Sequence, residues 1–192
     1  MSNLDKIIKI SKELGLAHIG SSLTAYPIIE EIFRIKKPDE KFVLSNGHAA
    51  LALAVVMHGD KAIDYVRENM HASSEWCDAS TGSLGHGIGI AVGMAIADRT
   101  KKVYCLLSDG ECSEGSVWES LRVKTEQKLD NLVIHVNCNG WASYSEVDVD
   151  LLEKRILAFC PDAIIHRTKI SDEVLEKYPQ LENQGGHYSK IQ

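Results

Sequence analysis

Residues 103–141 read VYCLLSDGECSEGSVWESLRVKTEQKLDNLVIHVNCNGW, and this stretch carries the clearest fold signal in the chain. The apolar run at residues 103–107 predicts a buried strand, and the run at residues 131–136 predicts a second one. Residues 114–128, between them, are typical of a helix. A strand, a helix and a strand in this order form a unit with parallel strands and a right-handed crossover. We therefore predict an α/β fold, with a mostly parallel sheet sandwiched by helices.

A short polar loop follows each of these two strands, SDG at residues 108–110 and NCNGW at residues 137–141. Parallel strands end at one edge of the sheet, where ligands bind, so Asp109 and Asn139 can meet there. Their side chains offer the oxygen ligands that Mg²⁺ prefers, and Gly110 leaves room for a diphosphate beside backbone N–H groups. Asp-Gly and Asn-Gly are also common turn dipeptides, so either loop alone is equally consistent with a structural turn. Their joint placement predicts a Mg²⁺–diphosphate site.

The rest of the chain extends the α/β pattern into one domain, residues 1–192. We predict further strands at residues 41–44 and 163–167. Further helices are predicted at residues 3–14, 25–34, 49–59, 60–70, 82–97 and 149–159. Residues 71–81 show no periodic spacing of apolar residues, so we predict a loop there. For residues 171–192 we predict an irregular carboxyl-terminal tail.

Composition excludes several classes of protein. The chain has a formal net charge of −6, and its basic doublets are isolated, which argues against a nucleic-acid partner. It has no signal peptide and no run near the roughly 18–20 apolar residues that a membrane span needs. The five cysteines are odd in number and form no CxxC pair, which favours free thiols. We expect a cytoplasmic protein without a membrane partner.

Five segments, in order along the chain, resemble motifs of the transketolase family. They are HIGSS at 18–22, FVLSNGHAALAL at 42–53, TGSLGHGIGIAVGMAIA at 81–97, LLSDGECSEGSVWESL at 106–121 and PDAIIHRTK at 161–169. The resemblance covers nearly the whole chain. It implies that the chain has the thiamine-diphosphate-binding fold and is the domain that binds the diphosphate. The implied cofactors are thiamine diphosphate and Mg²⁺, for which Ca²⁺ or Mn²⁺ can substitute.

The resemblance also implies roles for individual residues. The implied metal ligands are the side chains of Asp109 and Asn139 and the carbonyl of Trp141. The implied cofactor contacts are His48, Gly82, Leu84, Gly110, Glu111 and Asn139. The implied catalytic residues are His18, facing the substrate, and Glu114 and Glu119, at a subunit interface where paired carboxylates can share a proton. Two of these have simpler explanations, because His48 could cap a helix and Glu111 could be an ordinary first-turn carboxylate.

The resemblance implies that a second chain completes the enzyme. Enzymes of this family need another domain, which binds the pyrimidine ring and supplies the glutamate that activates the cofactor. This sequence has no second set of strand–helix–strand units to form it. We expect the amino-terminal subunit of a split transketolase, paired with a pyrimidine-binding, carboxyl-terminal subunit in an α2β2 assembly. Together they would transfer a two-carbon ketol unit from a ketose sugar to an aldehyde.

Two alternatives stay open. One is a subunit of a synthase that decarboxylates a 2-oxo acid, because the family's GHP histidine is missing here. His71 is the nearest substitute for that histidine, although its spacing fits poorly. The other alternative is a non-catalytic cofactor-binding partner, against which the intact Asp109, Asn139 and His48 argue. The family's DGHD turn is also absent, and SDG replaces GDG, and these differences bear on substrate range more than on cofactor binding.

Overall fold

A computed structural model describes residues 1–191, in which four parallel strands form one sheet in the order β1-β2-β3-β4. The strands are β1 (Lys41–Leu44), β2 (Val103–Ser108), β3 (Leu132–Cys138) and β4 (Ile164–Arg167). The helices are α1 (Asn3–Leu14), α2 (Ile19–Ile35), α3 (Ala50–His58), α4 (Ala62–Val66), α5 (Gly87–Ala97), α6 (Gly115–Glu126), α7 (Val149–Phe159), α8 (Asp172–Lys177) and α9 (Gly185–Tyr188). The predicted α/β class with a parallel sheet is confirmed.

The central strand β2 explains why the sheet lies between two layers of helices. All its residues are buried, and alternate side chains of a strand point to opposite faces. Tyr104 and Leu106 pack into a core formed with helices α1 to α4. Cys105 and Leu107 pack into a second core formed with helices α5 to α7. A strand that is buried on both faces is mostly apolar, as β2 is over residues 103–107.

Helix α2 begins earlier than the sequence predicts. It starts at Ile19 instead of residue 25, so Pro27 lies inside the helix and not in its first turn. The reason is tertiary packing, because residues 19–25 are all buried and the contacts they gain outweigh the hydrogen bond lost at the proline. His18 precedes the helix in the left-handed region, with a φ of 57°, and donates its backbone N–H to the carbonyl of His187.

Two other helices are shorter than predicted. The segment at residues 60–70 is α-helical only over Ala62–Val66. The helix predicted at 82–97 begins at Gly87, because Gly85 adopts a φ of +73°, which a helix cannot contain. Residues 82–86 therefore form a turn that leads into α5.

The prediction of an irregular tail at residues 171–192 is wrong for the described part of it. Helices α8 and α9 form there, and Val174, Leu181 and Ile191 are buried in the core beside α1 and α2. Because the segment is mostly polar, these few and widely spaced apolar residues form no recognisable pattern in the sequence. Residue 192 lies outside the described residues.

Substituting Leu181 by alanine tests whether the tail is part of the folded domain. Leu181 is 0% exposed, so we expect Leu181→Ala to lower the free energy of unfolding by about 2–5 kcal/mol. Leu151→Ala is the matched control, because this leucine is 43% exposed and should change stability by about 0.5 kcal/mol or less. Urea denaturation of both variants measures the difference. Equal stability of the two variants would contradict the packing of the tail.

A stacked histidine pair on β3 and β4 should make stability depend on pH. Nδ1 of His135 lies 2.9 Å from Nε2 of His166, and burial lowers the pKa of His135 to about 4. A histidine in an unfolded chain titrates near 6.5, so the unfolded state binds the proton first as the pH falls. We therefore expect the free energy of unfolding to decrease between about pH 6.5 and pH 4. The urea midpoint, measured across this pH range, should fall less steeply for His135→Phe than for the native chain. The control is His86→Gln, at an exposed position, which should leave the dependence of the midpoint on pH unchanged.

No helix among residues 1–191 has both the length and the apolar character of a membrane span.

Candidate cofactor-binding site

A cleft lies beyond the carboxyl ends of β2 and β3. Ser108 at the end of β2 is in register with Asn137 on β3, and the backbone N–H of Asp109 donates to the Asn137 carbonyl at 3.0 Å. The two polar loops are therefore neighbours, as their positions in the sequence predict. The predicted residues that line the cleft are His18, His48, Gly82, Leu84, Asp109, Gly110, Asn139 and Trp141.

Asp109 carries a carboxylate that is almost fully buried in this cleft. One oxygen accepts the N–H of Gly140 at 2.7 Å and the other accepts the N–H of Gly110 at 2.9 Å. Burial raises the pKa of Asp109 to about 6, although these N–H groups act in the opposite direction. A carboxylate in this position is stabilised by a nearby cation, and its oxygens retain lone pairs to bind one. The N–H of Gly110, implied to face the diphosphate, is directed to Asp109 instead.

Asn139 and Trp141 present two further oxygens in the same loop. The amide oxygen of Asn139 accepts the backbone N–H of Trp141 at 2.9 Å, and its amide nitrogen lies 3.4 Å from the hydroxyl of Thr24. The carbonyl oxygen of Trp141 lies 3.1 Å from Nε2 of His187, a contact that requires a proton on this nitrogen. Each oxygen has two lone pairs, so each can still accept a second partner.

Several histidine rings gather on the other side of the cleft. The ring centroids of His18 and His48 are 5.3 Å apart, and those of His18 and His187 are 5.9 Å apart. Burial lowers the pKa of His48 to about 3, and it also lowers the pKa values of His18 and His187. These rings are therefore neutral near pH 7, and a neutral imidazole can both donate and accept a hydrogen bond.

Eight residues line the cleft without having been given a role in it from the sequence. They are Ser21, Asn46, His71, Ser108, Asn137, Ala142, Ser143 and His187. Asn46 lies within the SNGH segment, which was itself a usable signal. His71 was considered only as a poorly spaced substitute for another histidine, yet it lines the cleft. His187 comes from the tail, and no local pattern in the sequence identifies it.

The three predicted glutamates do not line the cleft. Glu114 and Glu119 are exposed, and Glu119 forms an ion pair with Arg122. Their implied place at a subunit interface stays a prediction. Glu111 was implied to contact the cofactor, but its carboxylate is fully buried and faces backbone and hydroxyl groups behind the cleft. The reason is that Gly110 begins a short 3-10 turn, which rotates the next side chain away from the opening.

The unsatisfied groups of the cleft fit a diphosphate and a cation. Both polar atoms of the Asn46 side chain and Nδ1 of His18 are buried without a hydrogen-bond partner. Buried polar groups in native proteins nearly always have partners, which indicates that a ligand supplies them. Within residues 1–191 no group of three or more histidine, cysteine, aspartate or glutamate side chains is arranged to hold a metal ion by itself. A cation in the cleft would therefore rely on Asp109 together with amide and carbonyl oxygens, a set that suits Mg²⁺ bound to phosphate.

Comparison with known proteins is consistent with this geometry. Residues 11–159 match the family model described as "Transketolase, thiamine diphosphate binding domain". Human transketolase is 33% identical over 208 aligned positions, which cover 92% of this chain and 33% of that protein. One subunit of the apulose-4-phosphate transketolase from Phocaeicola vulgatus is 31% identical, and the alignment covers 71% of this chain and 58% of that one.

A solved structure shares the fold. Transketolase from Campylobacter jejuni superposes with a TM-score of 0.71 at 19% identity, covering 96% of this chain and 39% of that one. The chain spans about a third of the length of the human relative. Because the family model matches most of the sequence, the chain belongs to the transketolase family and corresponds to its thiamine diphosphate-binding domain.

Proposed function

We propose that this chain is the amino-terminal, cofactor-binding subunit of a two-component transketolase. With a pyrimidine-binding partner it transfers a two-carbon ketol unit from a ketose to an aldehyde. The observation that carries the proposal is the convergence of Asp109, Asn139, Trp141 and His48, from separate segments, on one cleft. Bound thiamine diphosphate supplies the electron sink that cleavage of the carbon–carbon bond beside a ketone requires.

The metal end of the cleft is assigned to three residues. Asp109 and Asn139 hold Mg²⁺ through side-chain oxygens, and Trp141 contributes its carbonyl. Mg²⁺ keeps octahedral coordination, so diphosphate and water oxygens fill the remaining positions. A single carboxylate leaves the ion with a net positive charge, which attracts the diphosphate. Ca²⁺ or Mn²⁺ can occupy the same oxygen ligands.

The remaining cleft residues hold the organic parts. His48 contacts the diphosphate, Gly110 leaves room beside it because it has no side chain, and Gly82 and Leu84 lie against the rings of the cofactor. His18 faces the sugar. Because burial keeps the His18 ring neutral, it can donate to a carbonyl oxygen or accept from a hydroxyl without introducing a charge.

A partner chain is part of the proposal. One relative, the apulose-4-phosphate transketolase chain from Phocaeicola vulgatus, is itself called a subunit, which supports a partner chain. The exposed Glu114 and Glu119 are available to a second chain, and we propose two copies of each subunit. All five cysteines are free, which supports a reducing, cytoplasmic location.

The test begins with the chain alone. Calorimetric titration with thiamine diphosphate should show binding that requires Mg²⁺ and is abolished by EDTA. The chain is then co-expressed with the product of whatever reading frame lies beside its gene, as the candidate pyrimidine-binding subunit, and ketol transfer is measured with a panel of ketose phosphates and aldehydes. Activity should require both subunits.

The outcomes separate the candidate functions. Absence of Mg²⁺-dependent cofactor binding, both by the chain alone and by the assembled complex, would show that the proposal is wrong. Consumption of a 2-oxo acid, with no transfer from ketoses, would indicate the decarboxylating synthase. Tight cofactor binding without turnover in the assembled complex would indicate a non-catalytic partner.

A further inference from the structure

The Glu111 side chain connects three segments that build the cleft. Its carboxylate is 0% exposed. Oε1 accepts the hydroxyl of Ser45 at 2.7 Å and the backbone N–H of Gly85 at 2.9 Å. Oε2 accepts the backbone N–H of Ser108 at 3.1 Å. All three partners act as donors to the carboxylate, and they belong to the end of β1, the turn before α5 and the end of β2.

Each of these segments continues directly into a residue of the cleft. Ser45 precedes Asn46, Gly85 follows Leu84, and Ser108 precedes Asp109. Leu84 contributes an aliphatic side chain to the cleft and Asp109 contributes a carboxylate. Glu111 lies behind the cleft, and its hydrogen bonds connect the two segments that carry these residues.

The turn at Gly85 is held on both of its backbone groups. Glu111 accepts its N–H, and the hydroxyl of Ser116 donates to its carbonyl at 2.9 Å. Gly85 has a φ of +73°, and an added Cβ would lie 2.5 Å from the Ser116 oxygen. Side-chain hydrogen bonds from the segment after β2 therefore fix the position of this turn.

We propose that Glu111 is a positioning residue that keeps the Leu84 turn in register with the Asp109 loop. The Leu84 turn can then contact the rings of a bound thiamine diphosphate while the Asp109 loop binds its diphosphate. The inference rests on the proposed function, and it assigns Glu111 no contact with the cofactor.

Glu111→Gln tests the inference with two probes. Glutamine has one acceptor oxygen, so either the N–H of Gly85 or that of Ser108 must face an NH₂ group, whereas the Ser45 hydroxyl can rotate. Inorganic pyrophosphate reaches only the diphosphate end, but thiamine diphosphate needs both ends in register. Titrating the full chain with each probe in Mg²⁺, we expect affinity for thiamine diphosphate to fall about ten-fold, or ~1.4 kcal/mol, and affinity for pyrophosphate to fall less than about three-fold.

Glu40→Gln is the matched control. Glu40 is also a buried carboxylate, and it accepts the N–H of Lys37 at the amino end of β1, far from the cleft. It should leave the ratio of the two affinities unchanged. Ser116→Ala is a second variant, which removes the hydrogen bond from the hydroxyl of the exposed residue Ser116 to the carbonyl of Gly85 in the same turn. It should shift the ratio in the direction of Glu111→Gln by about three-fold, and it carries the test if Glu111→Gln does not fold.

The results separate this inference from the proposed function. Equal weakening of both probes, or no change, in the folded variant would overturn the role of Glu111. A native chain that binds neither probe would overturn the proposed function and this inference with it.

Discussion

Asp109→Ala is expected to weaken Mg²⁺-dependent binding of thiamine diphosphate by about a hundred-fold or more. Asp109 is the one carboxylate among the described residues that line the cleft. Removing a buried charged partner of a bound ion typically costs about 2–5 kcal/mol, and a hundred-fold loss corresponds to about 2.7 kcal/mol. Asp109→Asn keeps an acceptor for the N–H of Gly140 but removes the charge, so it should lose cofactor affinity with less loss of stability.

Calorimetric titrations with and without Mg²⁺ measure this effect. Asp98→Ala is the control, because Asp98 precedes β2 at the opposite edge of the sheet and, within residues 1–191, its carboxylate accepts hydrogen bonds only from Thr100. It should leave the affinity unchanged. If Asp109→Ala bound the cofactor as tightly as the native chain, the metal assignment would be wrong.

Gly47→Ala is expected to destabilise the fold by about 4 kcal/mol or more. An added Cβ would lie 2.2 Å from the carbonyl oxygen of Thr81 and 2.4 Å from its carbonyl carbon. These are backbone atoms, and they cannot move easily because the Thr81 hydroxyl donates to Leu44 and its N–H donates to Ala72. Overpacking against fixed backbone is among the few mechanisms that produce changes of this size.

Thermal and urea denaturation measure the loss, with Gly89→Ala as the matched control. Gly89 lies in helix α5, and an added Cβ there would meet nothing within 4 Å. Alanine in a helix interior is favoured over glycine by about 0.5–1 kcal/mol, so this variant should be slightly more stable than the native chain. The two substitutions add the same methyl group and should have effects of opposite sign. A Gly47→Ala variant with native stability would contradict the close contact at Thr81.

The parallel sheet and the side of the cleft that carries Asp109 and Asn139 could be predicted from the sequence. Their signals are local, because the apolar runs of β2 and β3 are continuous and each is followed at once by its polar loop. A one-dimensional pattern is then enough to place Asp109 and Asn139 at the same edge. The segments resembling transketolase added His48 and Leu84 in the same way, since each lies inside a short, ordered motif.

The other side of the cleft could not be predicted, because it depends on contacts between distant parts of the chain. An added Cβ on Gly20 would lie 2.8 Å from the Cα of Gly186, so the start of α2 and the tail touch backbone to backbone. Packing against the core and the tail buries residues 19–25, which are helical although their composition shows no helical period. The contact with the tail also brings His187 to the cleft. The direction of the Glu111 side chain is set by a 3-10 turn, which residue spacing does not reveal.

The contact between His18 and His187 has a consequence for the synthesis of the protein. The two histidines are neighbours in the cleft but lie far apart along the chain. The whole segment between them must therefore leave the ribosome before the two sides of the cleft can pack together. Pairings between such distant segments form late and slowly. The nascent chain can therefore build its β2–β3 unit early in translation, but its own side of the cleft is complete only after His187 has left the ribosome.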